Sequence, residues 1–163
     1  MFRNAFLGAS ALALVACAQT EAPAPVTVSN VEVAVDLTAV ASRQAAARWA
    51  TLETDIAAAL GQEFVGMTSP EGYLVKVDVD ELSLATLGGD DARLTGTAQM
   101  VDIFREQVVR SFAVSASANE AAAFLPAGQT SVSPTSQEFY AAVVRAFARG
   151  VAQVVRSGPA EPS

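Results

Sequence analysis

Apolar residues along this chain recur at two spacings, and the order in which those spacings alternate limits the folds open to it. Val31, Val33, Val35 and Leu37 alternate with Glu32, Ala34 and Asp36, the period of a strand with one buried face. Val26 and Val28 have the opposite parity, which places a bulge or the strand's start at Ser29-Asn30. From Ser42 to Leu60 the period lengthens: Trp49, Leu52, Ile56 and Ala59-Leu60 fall at helical spacing, while Arg43, Arg48, Glu53 and Asp55 fall elsewhere. Gly61 is the expected stop of that helix, and Trp49 reads as a core anchor rather than a ligand-stacking ring.

The period then returns to two. Tyr73, Val75, Val77 and Val79 alternate with Lys76, Asp78 and Asp80, and the parity shifts after Glu81 to Leu82 and Leu84, the mark of a bulge. Gly88-Gly89-Asp90-Asp91 is a turn, after which Leu94, Gly96, Ala98 and Met100 resume the alternation. Residues 97–111 also fit a helix through Met100, Phe104 and Val108. The β-branched content of this stretch and the alternation Val108, Arg110, Phe112, Val114, Ala116 favour two strands joined by a turn near Phe104–Gln107. A loop is expected from Ser117 to Val132, with Phe124-Leu125-Pro126 as an apolar knot. The last element is a helix with a capping box at Thr135 and Glu138 and an apolar face of Phe139, Val143, Phe147, Val151 and Val154, ended by Gly158-Pro159. Strand, helix, three strands and helix predict an α+β two-layer sandwich, with two long helices on one face of a four-stranded, mostly antiparallel sheet.

The side-chain inventory restricts the chemistry more sharply than the fold. Histidine is absent, there is one cysteine, Cys17, and one lysine, Lys76. Ser-His-Asp and Cys-His catalysis and imidazole zinc sites are thereby excluded. The formal net charge of −7 argues against nucleic acid as a partner, because phosphates require a basic footprint. Asp78, Asp80, Glu81, Asp90 and Asp91 are the one concentration of carboxylates. Their spacing lacks the ligand ladder of a calcium loop, and a solvated strand face with a polar turn explains them better than a cation site or a glycosidase pair. No catalytic residue, metal or cofactor is therefore expected.

The first residues constrain location. Arg3 is followed by an apolar run from Ala5 to Val15, the length of an export-signal core and too short for a membrane-spanning helix, which needs about 20 residues. The run ends in Leu14-Val15-Ala16-Cys17, which resembles the lipobox of bacterial lipoproteins. The resemblance implies cleavage between Ala16 and Cys17 and acylation of Cys17, so that the acyl chains hold the protein on a membrane. Ala18, in place of Asp, implies sorting to the outer membrane, on its periplasmic face. On this reading residues 1–16 are a signal peptide, 17–30 the lipidated cysteine and a Pro-containing tether, 31–158 a single domain and 159–163 a polar tail.

The opening VEVAVDL, the first helix and a hairpin with LTGTAQMVD and VVRSFAVSA are similar to the lipopolysaccharide-assembly lipoproteins and to the auxiliary lipoproteins of lipid-transporting ABC systems. That resemblance implies a non-catalytic accessory subunit that docks an envelope transport or assembly system. The alternative is direct carriage of a lipid or other apolar ligand in a groove between helices and sheet.

Overall fold

The computed structural model describes residues 25–35, 43–84, 92–128 and 132–159, with backbone alone for 43–49. Trp49's side chain, the lipobox and the Gly88–Asp91 turn lie outside the described residues. The elements are β1 (Val28–Val35), α1 (Arg43–Glu63), β2 (Tyr73–Ser83), β3 (Arg93–Asp102), β4 (Gln107–Ser117), α2 (Ala118–Ala121) and α3 (Gln137–Arg156). β1 begins inside the stretch expected to be tether, and Val28 is buried.

The four strands lie in sequence order, β1-β2-β3-β4. β2 pairs antiparallel with β3, and β3 with β4, through a hairpin turn at residues 103–106, one residue ahead of the turn expected near Phe104–Gln107. β1 and β2 run parallel, with Val31 opposite Val75 and Val33 opposite Val77. The sheet is therefore mixed, which corrects the expectation of a mostly antiparallel one. A helix between two neighbouring strands returns the chain to the end from which it started, so the second strand repeats the direction of the first. The register breaks between Val28 and Asn30, and between Val79 and Glu81, where the parity of the sequence changes. A third break, between Met100 and Val101, leaves Val109 as an extra residue on β4.

Two helix boundaries also differ from expectation. α1 runs through Gly61 to Glu63, and the chain reverses at Gly66, whose φ is +80°. Helical geometry carried past Gly61 places Phe64, 2% exposed, in the core, with its N–H donating to the Leu60 carbonyl at 2.9 Å. Burying a phenylalanine contributes roughly 2–3 kcal/mol, against about 1 kcal/mol lost to a helical glycine. Burial of the ring prevails.

α2 stands where a loop was expected, so the described residues hold three α-helices rather than two. Ser117 and Glu120 form a reciprocal capping box, with Glu120 N–H donating to Ser117 Oγ and Ser117 N–H donating to Glu120 Oε2 at 2.8 Å. α3 is capped by Ser136, whose Oγ accepts from the Phe139 N–H at 3.1 Å, and not by Thr135, which bonds instead to the Ser133 side chain. Val155, fully buried, closes the apolar face of α3 in place of half-buried Val154, because four-residue steps from Phe139 arrive at 155.

α1 and α3 cover one face of the sheet. Leu52, Ile56 and Leu60 of α1 and Phe147, Val151 and Val155 of α3 meet Val75, Val77, Leu94 and Met100 of the sheet, all at most 1% exposed. At Gly96 a Cβ would press on the Asp78 carbonyl oxygen and lie 3.2 Å from both Val79 Cα and Phe147 Cζ. Glycine lets Phe147 sit on the sheet beside the β2 bulge. At the far end of α3, half-buried Arg110 of β4 donates from Nη1 to the carbonyls of Val154 (3.3 Å) and Gly158 (2.6 Å) and to Ser157 Oγ (2.8 Å). A cation on those orphan carbonyls complements the negative end of the helix dipole.

Candidate functional site

Strand alternation that aims valines at the helices aims polar side chains the other way, and no element covers that side among the described residues. The pairing arranges the outward residues in rows across the strands. Glu32, Lys76, Gln99 and Ser111 form one row, and Ala34, Asp78, Thr97 and Ala113 the next. Between them lies a shallow concavity of about 460 Å³ lined by Glu32, Ala34, Lys76, Val77, Asp78, Thr97 and Gln99.

Lys76 Nζ stands 3.3 Å from Glu32 Oε2, both side chains about half exposed (50% and 54%), so the pair contributes under about 1 kcal/mol and opens readily to other partners. The surface thus offers an ammonium, two carboxylates, an amide and a hydroxyl among small residues. It can exchange hydrogen bonds with a polar surface laid across it. It contains no nucleophile–base pair.

Of the carboxylates singled out in the sequence, the three described ones do not gather into one cluster. Asp78 and Asp80 are exposed on β2 and Glu81 is half-buried past the bulge, while Asp90 and Asp91 fall outside the described residues. Among the described residues no three His, Cys, Asp or Glu side chains are placed to hold a metal ion. Cys17 and Ala16 lie outside the described residues as well, and among the described residues no helix is long and apolar enough to cross a membrane.

On the opposite side, α1 and α3 are joined by Tyr140, whose hydroxyl donates to Asp55 Oδ2 at 2.7 Å. Glu63 holds Arg149 at 3.1 Å and Arg156 at 3.3 Å. The Phe124-Leu125-Pro126 knot lies over α3, where Arg149 stacks above the Phe124 ring, 5.6 Å from its centroid. A second concavity of about 440 Å³ opens there, lined by those three residues with Gln137, Glu138, Ala141, Ala142 and Arg145. These features sit on the outer side of the helices, whereas the space between helices and sheet is filled by the core.

The outer rows of the sheet were visible in the sequence as alternate polar residues. Their assembly into one shelf was not, because it depends on register. Comparison with solved structures finds partial likenesses. The PelC dodecamer from Paraburkholderia phytofirmans is 17% identical, over 82% of this chain and 89% of that one, with a TM-score of 0.43. A minor lipoprotein from Acinetobacter baumannii is 15% identical, over 85% and 100%, with a TM-score of 0.41. Protein XCC0632 from Xanthomonas campestris is 16% identical, over 83% and 85%, with a TM-score of 0.40. No family model and no curated protein matches the sequence.

Proposed function

We propose that this chain is a non-catalytic, lipid-anchored envelope protein whose uncovered sheet face docks a protein component of a transport or assembly system. In this reading residues 1–16 direct export, cleavage follows Ala16, and Cys17 carries the acyl chains that hold the domain on the periplasmic face of the outer membrane. The observation that carries the docking role is the polar shelf centred on Lys76, Asp78, Thr97 and Gln99, a shallow concavity that no element covers among the described residues. Strands β1 and β4 end the sheet on either side, and an unpaired strand edge accepts a further strand by backbone hydrogen bonding. Carriage of an apolar ligand between helices and sheet is the weaker reading, because a ligand there would have to displace Leu52, Ile56 and Phe147.

Two experiments test the proposal separately. Intact mass and membrane fractionation of the wild type and of Cys17→Ser test the anchor, and a wild-type protein recovered soluble without acyl mass would refute it. A photo-crosslinking residue at Thr97, compared with one at Arg145 on the helix side, tests the shelf in native membranes. Crosslinks to one envelope protein from position 97 and none from 145 are expected. Crosslinks from 145 alone, or a stoichiometric bound lipid on an otherwise solitary domain, would overturn the docking role.

A further inference from the structure

Four large apolar side chains are exposed among the described residues: Val65 (77%), Ile103 (36%), Phe104 (73%) and Val108 (53%). All four gather at one end of the domain, the end at which the chain leads back toward Cys17. Val65 follows α1 beside Met67, whose carbonyl accepts from the Val28 N–H at 2.8 Å at the start of β1. Ile103 and Phe104 form the tip of the β3–β4 hairpin and line a small concavity with Glu71, Gly72 and Tyr73. The Tyr73 N–H in turn donates to the Thr27 carbonyl at 2.9 Å. The hairpin tip and the point where the tether enters the sheet are therefore neighbours.

We infer that this end of the domain rests on the bilayer, with the hairpin tip at residues 103–108 set into its headgroup region. The inference depends on the proposed acylation of Cys17. Eight residue steps separate Cys17 from Pro25, the first described residue, and at about 3.5 Å per residue they reach at most on the order of 28 Å. The opposite end of the sheet lies a further strand length away, about 36 Å for the 11 residues of β2. A tether of this length keeps the hairpin end at high effective concentration beside the membrane surface.

The tip is ordered for display. The Asp102 carboxylate accepts from the Phe104 and Arg105 N–H groups, each at 3.0 Å, and pairs with the Arg105 guanidinium at 3.4 Å. A fixed turn thus presents Ile103 and Phe104 outward, with Arg105 beside them at the level of lipid phosphates. Aromatic and cationic side chains partition together into that interfacial layer. Exposed side chains such as Phe104 and Val108 are buried more completely in a medium that deforms around them than against a second rigid surface.

The test uses the full lipidated protein in vesicles of phosphatidylethanolamine and phosphatidylglycerol. Acylation consumes the native thiol, so Val108→Cys and Ser115→Cys each provide one site for a fluorophore, at the tip and on the far half of the sheet. The label at 108 should be quenched by a shallow nitroxide lipid and should show several-fold lower iodide access than the label at 115. Adding Phe104→Asp should restore iodide access at 108 while leaving the circular dichroism spectrum unchanged. Equal iodide access at 108 and 115, with intact mass showing acylated Cys17, would overturn the inference and leave the anchor standing. Absence of acyl mass would remove both. Shielding at 108 that follows a crosslinked dimer, without lipid quenching, would assign the tip to a second copy and overturn the membrane contact.

Discussion

Gly96→Ala adds one methyl group where β3 runs close against β2 beneath α3. The new Cβ would press on the Asp78 carbonyl oxygen and lie 3.2 Å from Val79 Cα and Phe147 Cζ. Two of these three neighbours are backbone atoms of the bulged β2, and Phe147 is fully buried, so none can yield by a rotamer change alone. Overpacking of this kind costs roughly 1–3 kcal/mol, and backbone neighbours place it near the upper figure. Alanine recovers about 0.5–1 kcal/mol relative to glycine in a strand. The net loss is then about 2 kcal/mol, a fall in Tm of roughly 4–8 °C for a domain of this size. Thermal unfolding of the full chain in detergent, followed by circular dichroism, measures it. Combining Gly96→Ala with Phe147→Leu should be less than additive by about 0.5–1 kcal/mol, because the ring tip goes while the Asp78 carbonyl stays. A Gly96→Ala protein as stable as its parent would refute the close approach of β3 to β2 beside the bulge.

Other perturbations follow from single contacts. Arg110→Ala uncovers the last carbonyls of α3 and should cost about 1–2 kcal/mol in Tm-derived stability, with Arg110→Lys intermediate and faster amide exchange confined to the end of that helix. Tyr140→Phe removes the 2.7 Å hydrogen bond to Asp55 between α1 and α3 and should cost about 1 kcal/mol in the same melts. Leu52→Asp puts an unpaired charge at a fully buried position and should abolish the cooperative transition in circular dichroism.

Where one face of an element is buried and the other solvated, the pattern of residues was enough to place it. The period-two runs at 73–80 and 94–100 became β2 and β3 with their valines and Met100 inward, and both parity changes coincided with register breaks. The hairpin was legible for the same reason, although Met100, Phe104 and Val108 fit a helical period equally well. β-branched side chains decided it, because packing on a pleated surface favours them. Helix ends were less legible. Gly61 is a stop only if nothing apolar follows, and Phe64 follows it. α2 carried its own signal in Ser117 and Glu120, the same Ser/Thr-x-x-Glu spacing used to place the last helix, but an alanine-rich segment offers no apolar stripe to draw attention to it.

Strand direction was encoded in no local pattern, and it fixes at which end of the sheet β1 begins. A parallel β1–β2 pair brings the start of β1 alongside Tyr73, the end of α1 and the β3–β4 hairpin. With β1 reversed, its first residue would lie opposite Val79, away from Phe104. The exposed apolar residues would then lie at the end away from the start of β1. The same topology leaves the polar shelf on the face of the sheet, while the start of β1 and the hairpin tip lie at its end. On the proposed acylation of Cys17, a domain so arranged keeps one end on the bilayer while its sheet face meets the proposed partner beside it. Contact with membrane and contact with partner then occupy different surfaces and need not compete.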